Sequence, residues 1–224
     1  MALLEGFLEL LFADRRCLFC QARVAPGQYW CPACWEETKT APFPFSPEGI
    51  SSADTGLSGS GIEIYSVGLY EGKLRRALLA LKYSGREYLA RGLGEMLFLF
   101  AREADLTADL VLPVPLHPRR QRQRGFNQAE ALARVVAGGL GVELGRGLLR
   151  RRRETLPQSS LGKSERLRNV QGAFFVTGGV ELDLKRILLV DDIFTTGATL
   201  QECANVLGQA GAGQVEALTV ARGR

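Results

Sequence analysis

Residues 186–207 read RILLVDDIFTTGATLQECANVL, and the order of residue types in this stretch decides the fold. Ile187 to Val190 form a short apolar run with no polar alternation, as in a strand buried on both faces of a sheet. The run ends in two acids, Asp191 and Asp192, then passes through Thr195-Thr196-Gly197-Ala198-Thr199 into an expected helix over 198–211. In open α/β sheets ligands bind beyond the carboxyl ends of the strands. There the first N–H groups of a helix and the positive end of its dipole favour a phosphate. The dipole contributes only about 0.3–1 kcal/mol when exposed, so threonine hydroxyls and converging N–H groups must add directional bonds. Gly197 permits close backbone approach, and adjacent carboxylates can accept hydrogen bonds from two vicinal hydroxyls, as on a ribose. Two simpler uses of these residues stand beside that one: a helix capped by Thr and Asp, or an acid pair holding Mg2+ in a phosphatase-like or receiver-like site.

Outward from this stretch, short apolar runs alternate with helical spacing. A strand or hairpin is expected over 62–69, strands over 109–115, 172–176, 186–192 and 214–221, and helices over 72–83, 89–104, 126–140 and 198–211. The alternation predicts an α/β fold, a mostly parallel sheet flanked by helices. Of the 224 residues 46% are hydrophobic and 23% charged, which excludes global disorder. No apolar run approaches the ~18 residues of a membrane-spanning helix, so no integral membrane segment is expected. The single histidine, His117, argues against His-rich metal sites and Ser-His-Asp chemistry.

MALLEGFLELLF (1–12) is interrupted by Glu5 and Glu9 and has no basic start, unlike a signal peptide. Leu3, Leu4, Phe7, Leu8 and Leu11 follow helical spacing, for an amphipathic helix that packs on its own domain, a partner or a membrane surface. A cytoplasmic location with reduced thiols is expected. Cys17 and Cys20 in CLFC, then Cys31 and Cys34 in CPAC, give two C-x2-C turns ten residues apart. Two such turns complete a tetrahedron of thiolates around Zn2+, a closed and therefore structural site. Two disulfides or redox-active pairs are the alternatives. Tyr29, Trp30 and Trp35 flank the second turn, as a miniature core or as a platform for nucleic-acid bases. Cys203 reads as a small buried apolar residue of the helix at 198–211. The expected organisation is a ribbon module at 1–45, a Ser/Gly-rich linker at 46–61 and an α/β domain at 62–224.

The net charge of +4 is unevenly spread: residues 115–170 hold 13 Arg and Lys against 4 acids, and the rest of the chain is negative. An anionic partner is expected at this segment. After LPVP (112–115) a loop carries His117, Arg119, Arg120, Arg122 and Arg124, with His117 a structural or phosphate-bonding group. A second basic stretch, 148–169, reads as a mobile loop. It is either a lid over the site or, through Arg150, Arg151, Arg152 and Arg153, a contact for nucleic-acid phosphates.

ILLVDDIFTTGAT resembles the phosphoribosyl-pyrophosphate (PRPP) signature of type I phosphoribosyltransferases. The resemblance implies that Asp191 and Asp192 hold the ribose hydroxyls as the catalytic acids, and that Thr195, Thr196, Gly197, Ala198 and Thr199 bind the 5′-phosphate. It also sets the residues after LPVP where such enzymes keep their pyrophosphate loop, and the charge there makes Arg119 and Arg120, with Lys82 as a third cation, the expected contacts for pyrophosphate with Mg2+. LKYSGR (81–86), LPVPLHPRRQRQRGFNQ (112–128) and the spaced residues Thr155, Gln158, Leu161, Arg166, Asn169 and Gly172–Phe174 are similar to the ComF family. That resemblance covers nearly the whole chain and implies a type I phosphoribosyltransferase fold behind an N-terminal zinc ribbon. Its implied role is natural competence, the uptake of DNA, with single-stranded DNA and competence proteins such as a DNA-uptake helicase as partners. No segment spells an acceptor-base pocket. A conventional phosphoribosyltransferase of nucleotide metabolism and a non-catalytic PRPP sensor therefore stand as alternatives.

Overall fold

The computed structural model describes residues 16–39, 62–84, 87–153, 163–178 and 182–223. The leading helix expected at 1–12, the linker at 46–61, and Thr155, Gln158 and Leu161 lie outside them. A short helix α1 (Pro32–Thr38) precedes strand β1 (Glu63–Leu69) and helices α2 (Gly72–Ser84) and α3 (Glu87–Glu103). Then come β2 (Leu110–Pro113), α4 (Pro118–Arg124), α5 (Gln128–Leu140), β3 (Glu143–Leu144) and β4 (Leu149–Arg151). The described chain ends with α6 (Lys163–Val170), β5 (Phe174–Val176), β6 (Arg186–Phe194), α7 (Ala198–Gln209) and β7 (Gln214–Arg222).

Five parallel strands lie in the order β1-β7-β6-β2-β3, and β4 and β5 form a separate antiparallel pair. Along β6 the side chains alternate: Leu188 and Val190 join one core, Ile187 and Leu189 the other. A strand that buries both faces needs apolar residues at every position, which is why Ile187 to Val190 are unbroken. Leu78, Leu97 and Val136 of α2, α3 and α5 fill the first core. Leu200, Cys203 and Leu207 of α7, with Phe174 and Val170, fill the second.

This order creates a switch point. β6 leads through α7 to β7 on one side, whereas its neighbour β2 leads through α5 to β3 on the other. Connections that depart in opposite directions leave a crevice beyond the carboxyl ends of β6 and β2, where such folds bind ligands.

Two segments depart from their sequence reading. Residues 118–124 are a helix rather than a loop, with Pro118 in its first turn, the His117 ring accepting from Arg119 N (3.3 Å), and Gly125 closing it at φ 80°. No residue of α4 is buried, so no apolar period announces it. Residues 148–169 are regular at both ends: β4 pairs with β5 (Arg151 opposite Phe174), and Lys163–Val170 is helical.

The cysteine ribbon rests on the α/β layer. Leu18, Phe19, Trp30 and Trp35 are half-buried against the first core. Tyr88 of α3 donates to Arg16 O (2.9 Å), and Lys73 of α2 pairs with Glu37 of α1. Two glycines permit close approach: a Cβ at Gly68 of β1 would meet the Thr38 backbone oxygen, and one at Gly92 of α3 would meet Leu18 and the Tyr29 Cβ, the latter at 3.0 Å.

Candidate functional site

β6 delivers Asp191 and Asp192 at its carboxyl end, and the backbone then bends through Gly197, at φ 75°, into α7. An L side chain is strained at that angle, which explains the glycine. No side chain caps α7; the Thr196 Oγ1 contact to Ala198 N is long, at 3.5 Å. Asp191 Oδ1 accepts from Asp192 N (2.8 Å), and Asp192 Oδ2 lies 2.8 Å from Lys82 Nζ at the end of α2. Burial, and then the neighbouring Asp192 charge, raise the Asp191 pKa well above the usual carboxylate range, against the partial relief of the Asp192 N–H and Lys82. Burial also pushes the Cys203 thiol far up, so this 0%-exposed residue packs rather than reacts.

The partner wall comes from β2. Val114 N donates to Val190 O (2.9 Å), which brings the loop at 114–117 alongside the end of β6. The GFNQ turn sets its direction. Asn127 caps α5 by accepting from Ala129 N (3.1 Å), while its Nδ2 donates to Val114 O (3.1 Å). Arg124 donates to Gln128 Oε1 (3.2 Å). The motif is thus a hinge of two helix ends, C-terminal for α4 and N-terminal for α5. Arg119 and Arg120 stand in the first turn of α4, exposed and half-buried respectively.

Of the four arginines assigned to nucleic acid, Arg151 behaves differently from the rest. Its guanidinium lies 5.2 Å from the centre of the Phe174 ring. Burial first, and the like charge of Arg120 second, lower its pKa, while Asp191 acts in the opposite direction. Arg151 therefore belongs electrostatically with the acids and with Arg120, a role the sequence reading missed. The alternation within β4 was the available signal, since Leu149 and Arg151 point to one side and Arg150 to the other. Arg150, Arg152 and Arg153 instead donate to backbone: Arg150 to Gly147 O (3.2 Å), Arg152 to Gly172 O (3.0 Å), Arg153 to Asn169 O (3.0 Å) and Gln171 O (2.7 Å). Glu202 of α7 accepts from Gly172 N (2.6 Å) and ties this hairpin to the site's helix. Lys82, expected on pyrophosphate, sits on Asp192 in this structure.

The sulfurs of Cys17, Cys20, Cys31 and Cys34 all lie within 4.8 Å of one another, an arrangement that can hold a metal such as zinc. A zinc tetrahedron with bonds of about 2.3 Å has S···S edges of about 3.8 Å, and Cys20 and Cys31 are already 3.7 Å apart. Donors surround the cluster as they would thiolates: Phe19 N reaches Cys17 Sγ (3.4 Å) and Lys73 Nζ reaches Cys34 Sγ (3.3 Å). Burial raises the Cys17 pKa, but N–H groups of Cys20, Cys31 and Phe19 more than offset it and hold the thiol at about 6. Cys34 is pushed up to about 12 by burial and by the other three thiols, against Lys73. Four sulfur donors leave no open position, so a metal here would be structural.

A parallel α/β sheet whose switch-point strand ends in paired aspartates and turns through TTGAT into a helix is a phosphoribosyltransferase-type domain. The chain belongs to the ComF family. It is 32% identical over 164 residues to the DNA utilization protein YhgH of Escherichia coli O157:H7, covering 71% of each chain. It is 26% identical over 236 residues to competence protein F of Haemophilus influenzae, covering 94% of this chain and 98% of that one. No protein-family model matches. Among solved structures, glutamine PRPP amidotransferase from B. subtilis, complexed with ADP and GMP, superposes with a TM-score of 0.42 at 22% identity, over 62% of this chain and 30% of that one. No helix among the described residues is long and apolar enough to cross a membrane.

Proposed function

We propose that this chain is a ComF-type protein of DNA uptake whose α/β domain binds PRPP, or a related phosphoribosyl ligand, in the crevice between β6 and β2. One observation carries the reading: the paired acids Asp191 and Asp192, with the half-buried Arg151 in electrostatic reach of Asp191, stand where two oppositely directed connections leave the sheet. Asp191 and Asp192 accept from the ribose hydroxyls, and Thr195 to Thr199 receive the 5′-phosphate. Arg119, Arg120 and Arg151 face the pyrophosphate, whose remaining charge Mg2+ neutralises when it accompanies the ligand. Lys82 holds Asp192 in place through their ion pair. Four thiolates, from Cys17, Cys20, Cys31 and Cys34, bind Zn2+ and hold the ribbon in shape.

Single-stranded DNA is the polymer that a protein of this role meets, and Arg150, Arg152 and Arg153 are its contacts. Arg150, Arg152 and Arg153 already hold carbonyls of their own hairpin, so DNA would meet only their outer N–H groups. Whether pyrophosphate leaves the bound ligand separates a transferase from a sensor.

The test is calorimetry with PRPP and Mg2+ on the parent and on Asp191→Asn/Asp192→Asn, expected to bind and not to bind. Equal affinity would refute the assignment. Pyrophosphate release on adding one member of a panel of bases and nucleotides would identify a transferase and its acceptor; binding without release throughout would identify a sensor.

A further inference from the structure

Away from the switch point, a cavity of about 500 Å3 opens between the ribbon and α3. Tyr29, Trp30 and Trp35 form its ribbon side, and Glu95, Leu99 and Glu103 its α3 side. The two indoles stack with centroids 5.8 Å apart at 27°. The α3 residues recur at four-residue spacing, so they form one stripe along the helix, acid, leucine, acid. Leu99 is 37% exposed, one of only three large hydrophobic residues so exposed among the described residues. Among those residues Glu95 has no ion-pair partner.

Aromatic faces and carboxylates both attract cations, and together they repel phosphate. The molecule already uses this chemistry at one end of the groove. The Lys39 ammonium lies 5.5 Å from the centre of the Trp35 ring and bonds Glu103 at 3.1 Å and Glu36 at 3.4 Å. The aromatic cluster is therefore poorly suited to stack nucleic-acid bases, whose phosphates would face Glu95 and Glu103.

We infer that this groove docks a basic, amphipathic segment of a partner protein. The acids are eight residues apart, about 12 Å along the helix. Two basic side chains at matching separation, flanking an apolar one, fit it. On a partner helix this reads Lys/Arg-x3-Leu-x3-Lys/Arg. The apolar residue covers Leu99, one cation enters between Glu95 and the indoles, and the other shares Glu103 with Lys39. This inference does not depend on the PRPP site.

Both tryptophans of the chain line the groove, so intrinsic fluorescence reports on it alone. The full chain is titrated with a helical peptide carrying the Lys-x3-Leu-x3-Lys stripe, with the same peptide bearing Glu for Lys, with spermine and with oligo-dT. Only the first should shift the emission. Glu95→Gln should weaken its binding about tenfold while circular dichroism and PRPP binding stay unchanged. No response to the basic peptide, or equal affinity for Glu95→Gln, would overturn the inference. An equal response to spermine would replace the protein segment by a free polyamine, and a response to oligo-dT that Glu95→Gln strengthens would replace it by nucleic acid.

Discussion

Lys82 Nζ stands 2.8 Å from Asp192 Oδ2, with the two side chains only 18% and 12% exposed. The pair joins the last turn of α2 to the carboxyl end of β6, two elements far apart in sequence. It sets a cation beside two adjacent acids that would otherwise repel one another. Lys82→Met should cost about 2–3 kcal/mol of stability in urea unfolding, somewhat below the value for a fully enclosed pair. Lys82→Arg, which keeps the charge, should recover most of the loss. An equal cost for both variants would mean that Lys82 stabilises by packing alone.

Asp191 gives a pH signature of opposite sign to a salt-bridged acid. Burial, and then the Asp192 charge, raise its folded pKa well above the usual range. The folded state thus holds a proton that the unfolded chain releases near about pH 4. Stability from this group is full below that value and is lost as pH rises through the raised one. Asp191→Asn should therefore have a higher Tm than the parent at about pH 8, with the gap closing towards about pH 4. On the proposed function it should also lose PRPP. A variant that binds poorly and is also less stable at high pH would show the carboxylate to be compensated in the fold.

The cysteine cluster predicts metal content and a consequence beyond it. Purified protein should carry about one zinc per chain by elemental analysis. Structural zinc contributes roughly 10–16 kcal/mol to small modules, and here the module rests on α3 through Leu18, Tyr29 and Trp30. A strong chelator should lower the Tm and move the tryptophan emission to the red as the indoles leave the helix. Chelated protein with unchanged Tm and emission would mean that the thiols hold the ribbon without metal.

The sheet was legible in the sequence because its strands are buried on both faces, and such strands write themselves as unbroken apolar runs: Ile187–Val190, and Leu110–Leu112. The order of the strands was not legible, since it depends on which face each helix covers, and so the switch point emerges only from the pairing. Asp191 and Asp192 were visible as a motif next to a glycine turn. Their link to Lys82 was not, being a contact across more than a hundred residues. Residues 118–124 hid their helix because no residue on it is buried. The run Arg150–Arg153 looked uniform as composition, but strand alternation sets Arg151 over the Phe174 ring, in electrostatic reach of Asp191, while its neighbours bind carbonyls. The ribbon's attachment was illegible for a similar reason, since a glycine inside a helical pattern gives no hint of what approaches it.

That glycine supplies the sharpest structural test. In a helix interior, replacing Gly by Ala gains about 1 kcal/mol when nothing else changes. Gly138 of α5 meets that condition, since a Cβ there has no neighbour within 4 Å. Gly138→Ala should therefore stabilise the protein by up to about 1 kcal/mol. At Gly92 of α3 the added carbon runs into Leu18 and, at 3.0 and 3.1 Å, into Cβ and Cδ1 of Tyr29. Overpacking of this kind costs about 1–3 kcal/mol, enough to cancel or reverse the helix gain. Gly92→Ala should thus be neutral to destabilising by about 2 kcal/mol in urea. It should also shift tryptophan emission, because Trp30 follows Tyr29 directly, while Gly138→Ala leaves emission alone. If both substitutions stabilise equally and neither moves the emission, the ribbon does not rest on α3 in solution.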